Sequence, residues 1–340
     1  MNKNLIAITL IILCTFCLIV GIINSIKGNI RYAENNGARI KRFEKIIVTP
    51  SSKVALITID GIIDSSNKTN AFSNEFNAQN ALKSIKAAKE DSNIKGLIIK
   101  INSPGGTVAM SQCIYNEILR TRKIKPVVVS LEDVAASGGY YIACAADRIV
   151  ALSGTLTGSI GVIFSTLDMH QLLSEKLLIS PNIVKSGQYK DMGSPYRKMT
   201  KQDKTIIKGI VNDSYKQFIE SIRIARILRS DTYNVEKREL KYDTLIKNAD
   251  GRVFTGEQAL KLGFIDKIGD LTDAQNCIKS MINQKYNLKS DVILLPYNKP
   301  SSFAEFVFGS AESLFGIKNP LESITPTSIK LSKRPLYLWE

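Results

Sequence analysis

Three runs of almost unbroken apolar residues, KVALITIDGII (53–63), IKGLIIKIN (94–102) and KPVVVSLE (125–132), alternate with two segments of helical periodicity. A strand that is apolar on both sides has no face to give to water, so it must be covered above and below. Sheets covered on both faces by crossover helices are parallel. NAQNALKSIKAAKED (77–91) supplies one cover, with Ala81, Leu82, Ile85 and Ala88 as its apolar residues, and TVAMSQCIYNEILRTR (107–122) reads as the other. The pattern predicts an α/β fold with a parallel sheet flanked by helices. Further along, RIVAL (148–152) and GSIGVIF (158–164) read as short strands. TKQDKTIIKGIVNDSYKQFIESIRIARIL (200–228) reads as a long helix capped by Thr200, with Ile207, Val211, Phe218 and Ile222 on one face. TGEQALKLGFIDKIGD (255–270) opens with Thr255 and Gln258 in capping-box spacing, which starts another helix.

The ends of the chain are different. Leu5 to Ile26 carries no charged residue, which is about the ~20 residues needed to cross a bilayer core as a helix. It runs on without a small-residue cleavage site, so it is expected to remain as an anchor. The expected organisation is a transmembrane anchor over 1–26, a basic juxtamembrane stalk over 27–52, the α/β domain over 53–290 and a C-terminal extension over 291–340. Within that extension the aromatic-rich SSFAEFVFGSAESLFG (301–316) is suited to an oligomer or membrane contact. A formal charge of +15 without an aromatic-basic recognition motif points away from nucleic acid and towards an anionic lipid surface. The charges around the span bear on orientation. Only Lys3 precedes it, whereas Lys27, Arg31, Arg39, Lys41, Arg42 and Lys45 follow, a bias that would keep the C-terminal part in the cytoplasm. The five cysteines, Cys14, Cys17, Cys113, Cys144 and Cys277, have no metal-type spacing, and Cys113 and Cys144 read as buried small hydrophobes. No cofactor is expected.

The chemistry centres on DVAASGGYYIACAAD (133–147), where Ser137 stands between small residues at the point where the third strand gives way to a helix. In open α/β sheets functional groups collect at such strand ends, and small neighbours let a substrate backbone approach a nucleophile. A serine needs a base. The single histidine, His170 in STLDMHQLL, has only the nearby Asp168 to orient it and reads as a surface or packing residue. That leaves lysines and carboxylates. KSGQYKDMGSP (185–195) carries Lys185 and Lys190 in a tight glycine-containing segment. A lysine accepts a proton only when neutral, so its reference pKa of ~10.4 must fall by about 2–3 units, roughly 3–4 kcal/mol, and burial is what achieves that. Gly105 and Gly106 in NSPGGTV (102–108) allow backbone N–H groups to turn toward a bound carbonyl, as an oxyanion hole requires. Ser159 in TLTGSIGV (155–162) is a hydroxyl able to hold a neutral amine.

Taken in order, NSPGG, DVAASGGYYIA, TLTGSIGV, KSGQYKD and GRVFTGEQALKLGFIDKIGD resemble the motif set of the signal peptide peptidase A (SppA) family of membrane-bound serine proteases, from about Val54 to Asp270. The resemblance implies a ClpP/crotonase-like fold and an endopeptidase with a Ser/Lys dyad in place of a triad. Ser137 matches the nucleophile, Lys190 the general base and Ser159 the residue that bonds that lysine. The backbone N–H groups of Gly106 and Gly138 match the oxyanion hole. It also implies a short form with one catalytic domain, assembled into homo-oligomeric rings whose neighbouring protomers complete each site. Substrates would be signal-peptide remnants and other apolar peptides left in the bilayer after secretion. The implied place is a single-pass position in the inner (cytoplasmic) membrane of a bacterial cell, with the catalytic domain extracytoplasmic, against the charge bias noted above. RSDTYNVEKRELKYD (229–243) is an extra polar stretch relative to the family. A crotonase-type acyl-CoA enzyme or a catalytically silent membrane scaffold of the same fold are the alternatives.

Overall fold

The computed structural model describes residues 51–65 and 77–297 and the backbone of 336–338. The expected anchor, the stalk up to residue 50 and the 301–316 stretch lie outside the described residues. Among the described residues no helix is long and apolar enough to cross a membrane.

The expected alternation is what the chain forms. β1 (Ser51–Asp60) leads to α1 (Ala78–Glu90), whose first turn is capped by the Asn77 side chain. β2 (Ile94–Ser103) and the short β3 (Gly105–Thr107) precede α2 (Val108–Arg122). β4 (Val127–Ala136) feeds directly into α3 (Gly138–Ala143), followed by β5 (Arg148–Ala151) and β6 (Leu156–Gly158). The second half holds α4 (Lys201–Ile222), α5 (Tyr242–Asn248), β7 (Val253–Thr255) and α6 (Gly256–Leu262). It closes with β8 (Lys267–Ile268), α7 (Leu271–Tyr286) and β9 (Asp291–Pro296), and β10 (Leu336–Leu338) comes last.

Eight of these strands make one mixed sheet in the order β7-β6-β4-β2-β1-β9, with β5 branching from β4 and carrying β8. All pairs are parallel except β6 with β7, and β10 pairs antiparallel with β3 in a separate two-stranded ribbon. The two-sided apolar strands explain the layering. Leu97 and Ile99 of β2, with Val127 and Val129 of β4, turn to the same core as Ile85 of α1 and Ile114 of α2. Ile98 and Val128, one residue out of step, turn to Ile278, Met281 and Ile282 of α7 on the opposite face. β9 pairs with β1 and so carries the sheet beyond residue 290.

Element ends differ from the sequence reading at several points, while the helix start at the Thr255–Gln258 box is as read. The strand read over 158–164 is instead β6, ending at Gly158, because Ser159 takes a φ of 49° and donates its N–H to the Arg252 carbonyl at 2.8 Å. The long helix stops being α-helical at Ile222 and continues as a wider π-type turn over Arg223–Ile227. The helix opened by the Thr255–Gln258 capping box ends at Leu262, since Gly263 adopts φ 83° in the left-handed region, where a Cβ would stand 2.3 Å from the Glu239 carbonyl oxygen. Cys144 is buried as expected, but Cys113 is exposed.

The extra stretch 229–243 is tied down by buried cations. The Arg148 side chain is fully buried and donates to the carbonyls of Asp147, Tyr233, Val235 and Glu236 and to the Asp231 carboxylate. Arg226 and Asp266 form a bidentate pair, 2.8 Å on each arm, with both side chains 1% exposed. Asp266 also accepts from the N–H groups of Ile149 and Arg238, which joins the stretch to β5. Removing one member of such a pair leaves a buried charge without its partner. Arg226→Met should therefore destabilise the fold by about 3–5 kcal/mol, seen as a drop in Tm of roughly 10 °C in thermal unfolding at pH 7. A loss below about 1 kcal/mol would show that Asp266 needs no cation there.

Candidate active site

The turn from β4 into α3 is made by Ser137 itself. Its φ of 53° and ψ of −112° lie outside the regions that L-residues prefer, which costs of order 1–3 kcal/mol and persists only where neighbours impose it. Those neighbours are visible. The Ser137 N–H donates to the Gly158 carbonyl and the Ser137 carbonyl accepts from the Tyr141 N–H, each at 2.8 Å. A serine thrust forward on a strained strand-to-helix turn is the geometry of a nucleophile elbow. Ser137 is buried, and its Oγ has no hydrogen-bond partner among the described residues. An unpartnered buried hydroxyl is unfavourable unless a water, a ligand or a reaction uses it.

Glycines bring two other strand ends to this point. Gly139 lies so close to β2 that a Cβ would sit 3.0 Å from the Ser103 carbonyl oxygen. β3 packs beside α3, and at Gly106 a Cβ would stand 2.0 Å from the Ile63 carbonyl oxygen. Ser159, buried and at positive φ, follows Gly158, whose carbonyl holds the Ser137 N–H. Ser137, Gly138 and Ser159 are thus joined through short backbone links, with Gly106 on the adjoining strand.

Lys190 is placed differently. It lies in a turn, with its N–H donating to the Gly187 carbonyl at 3.1 Å, and its side chain is exposed. Its Nζ makes no hydrogen bond or ion pair among the described residues, so nothing joins it to Ser137 or Ser159 within one chain. The expectation of a buried lysine is not met by the single chain. Burial is a property of whatever packs on this turn, and the described elements leave it open.

The turn is nonetheless held. Lys185 donates to both oxygens of Asp191 at 2.8 Å, and Arg197 spans Asp191 (2.9 Å) and Asp203 (2.6 Å). Asp203 is the third residue of α4 and completes a capping box with Thr200. Hydrogen bonds from Arg197 and then Lys185 hold the Asp191 carboxyl well below the usual carboxylate range, and Arg197 with the Thr200 N–H lowers that of Asp203 to about 2. This chain of ion pairs fixes the residue next to Lys190 to the start of a long helix. The sequence reading passed over Asp191, Arg197 and Asp203, although the Thr200-x-x-Asp203 box was a signal for the last of them.

His170 faces Asp168 at 3.3 Å with both side chains substantially exposed, in keeping with a surface residue. Among the described residues no group of three or more His, Cys, Asp or Glu could hold a metal ion.

Residues 120–285, which contain Ser137, Ser159 and Lys190, match peptidase family S49, and residues 62–155 match the Clp protease family. The SppA relative of Enterococcus faecium is 34% identical over 263 residues, covering 76% of this chain and 71% of that one. The chain belongs to peptidase family S49. A protease relative from Synechocystis is 38% identical over 223 residues, 66% of this chain and 72% of its own. The chloroplastic serine protease SPPA of Arabidopsis thaliana is 31% identical over 249 residues, 73% of this chain but only 35% of that longer protein. As an S49 peptidase the chain is a serine protease, and its peptidase fold is an α/β sheet flanked by helices.

Proposed function

We propose that the chain is a membrane-anchored endopeptidase of ClpP/crotonase-like fold that cleaves signal-peptide remnants and other apolar peptides with a Ser137/Lys190 dyad. The observation that carries this reading is the Ser137 Oγ, buried and without a hydrogen-bond partner among the described residues, on a strained turn between glycine-built strand ends. Lys190 Nζ takes the hydroxyl proton as Oγ bonds to the substrate carbonyl carbon, and the carbonyl electron pair moves to oxygen. The N–H groups of Gly106 and Gly138 receive that oxyanion. Collapse breaks the C–N bond, and the Lys190 ammonium returns its proton to the leaving amine. Water then gives a proton to Lys190 as its oxygen bonds to the acyl carbon, and when the ester C–O bond breaks the Lys190 ammonium returns that proton to Ser137 Oγ.

Because Lys190 is exposed in its own chain, the neutral amine this chemistry needs requires a second surface. A neighbouring copy supplies it: each site takes Ser137 and Ser159 from one protomer and Lys190 from the next, in a closed ring. Leu5 to Ile26 anchors the chain in the inner membrane of a bacterial cell, with the catalytic domain on the extracytoplasmic side. A crotonase-type acyl-CoA enzyme would share the glycine-built oxyanion hole but has no use for a buried, unpartnered serine hydroxyl.

A fluorophosphonate probe should label the wild-type protein and leave Ser137→Ala unlabelled. Equal labelling of both, or of neither, would remove Ser137 as the nucleophile and with it this reading.

A further inference from the structure

At the other end of the sheet from Ser137, an open cavity of about 840 Å³ is lined by five basic residues, Arg120, Arg122, Lys123, Arg229 and Lys285, and by one carboxylate, Asp147. Ser137 follows the last residue of β4, whereas Asp147 accepts the N–H of Val127, the first, at 2.8 Å. Ten residues of strand at ~3.3 Å each put roughly 30 Å between the two places. No residue of the five catalytic motifs lines the cavity. One wall is built by Arg229, Thr232 and Tyr233, which open the stretch that is extra relative to the family.

Positive charge is in excess here. Both oxygens of Asp147 are engaged, one by Arg229 and the other by the Val127 N–H. Arg122 and Arg229 converge on one acceptor, the Ala146 carbonyl, at 3.4 and 3.0 Å. Arg122 reaches the Ala145 and Ala146 carbonyls through Nη1 alone, so its Nε and Nη2 have no acceptor among the described residues. The Nζ atoms of Lys123 and Lys285 make no hydrogen bond or ion pair among the described residues either. Desolvation, and then the neighbouring Arg229 charge, lowers the Arg122 pKa from its ordinary value, and desolvation lowers that of Lys285. Like charges held together partly out of water repel, and a bound anion relieves them.

A single carboxylate answers one or two such cations. A phosphate presents several anionic oxygens at once, and a guanidinium fork matches their geometry. The volume is that of a small-molecule site, and Leu119, Ile224 and Tyr233 give the cavity an apolar side. We propose that this cavity binds a phosphate-bearing small molecule, with Arg122, Lys123 and Lys285 on the phosphate and the apolar side against the rest of the ligand. The site does not rest on the peptidase reading, because Ser137 lies at the opposite end of β4. A soluble nucleotide and the headgroup of an anionic phospholipid both carry this chemistry.

The test uses the full-length protein in dodecyl maltoside, titrated calorimetrically at fixed ionic strength. The probes are sodium pyrophosphate, ATP and glycerophosphoglycerol, the deacylated headgroup of phosphatidylglycerol. At least one should bind, and the tightest tells whether a soluble phosphate or a lipid headgroup is the source. Changing Lys123→Gln together with Lys285→Gln should weaken that probe by about 10–100-fold, because two charge-assisted hydrogen bonds are lost. Tm should stay at the wild-type value, since neither amine has a partner among the described residues to lose. Lys83→Gln together with Lys86→Gln, on the exposed side of α1, removes the same net charge and should change affinity by less than about 2-fold. Equal weakening by the two pairs would mean general charge attraction and overturn the site. So would a failure of all three probes to bind, or wild-type affinity in the variant that lacks Lys123 and Lys285.

Discussion

Mixing Ser137→Ala protein with Lys190→Ala protein, each inactive by itself, should restore peptide hydrolysis to about a quarter of the wild-type specific activity, the share of sites in a randomly mixed ring that pair an intact serine with an intact neighbouring lysine. Separately, each variant should lose on the order of 10³-fold or more in kcat, because attack and proton transfer are successive parts of one event. For the same reason the double variant should be no slower than either single one. The motive for mixing is the placement of the two side chains. Among the described residues the buried Ser137 Oγ lacks a hydrogen-bond partner, and so does the Nζ of the exposed Lys190. A mixture that stays inactive, although both variants assemble like wild type, would place the dyad within a single chain or remove Lys190 from it. Lys185→Ala distinguishes the two lysines of the segment. Lys185 is engaged with Asp191, so its loss loosens the turn but removes no proton acceptor, and activity should fall far less.

Gly106→Ala should abolish activity for a different reason. The added Cβ would lie 2.0 Å from the Ile63 carbonyl oxygen, 2.5 Å from its carbon and 2.7 Å from the Ile63 nitrogen. All three are backbone atoms, so no side-chain rotation relieves the clash, and either β3 or the Ile63 segment must move. Movement costs the two backbone hydrogen bonds that Ile63 makes with Gly105 and Thr107, and it would swing the Gly106 N–H away from the oxyanion position proposed for it. Loss of one such donor lowers kcat by about 10²–10³-fold, and the overpacking adds about 1–3 kcal/mol of destabilisation. Gly154→Ala is the control, since a Cβ there meets nothing within 4 Å. The measurement is kcat together with Tm for both variants. Wild-type kcat in Gly106→Ala would rule out the Gly106 N–H as an oxyanion donor.

Much of this molecule was legible from local pattern. The two-sided apolar runs became β1, β2 and β4, and the periodic segments between them became α1 and α2, because each pattern is written among residues a few positions apart. The capping boxes at Thr200 and Thr255 and the position of Ser137 between strand and helix were readable on the same grounds. Tertiary structure decided the rest. That Arg148 would be buried under carbonyls of Tyr233, Val235 and Glu236 depends on acceptors more than eighty residues away, which no window of sequence contains. That GSIGVIF would leave the sheet after Gly158 depends on the Arg252 carbonyl drawing the Ser159 N–H aside. The pairing of Tyr337 with Gly106 has no local signal either. Periodicity announces that a segment is a strand, but its partner is chosen by which edge the folded sheet leaves open. The motifs marked Lys190 as a candidate base, but its exposure is a property of the assembled surface, because burial is set by what packs against a side chain and not by its neighbours in sequence.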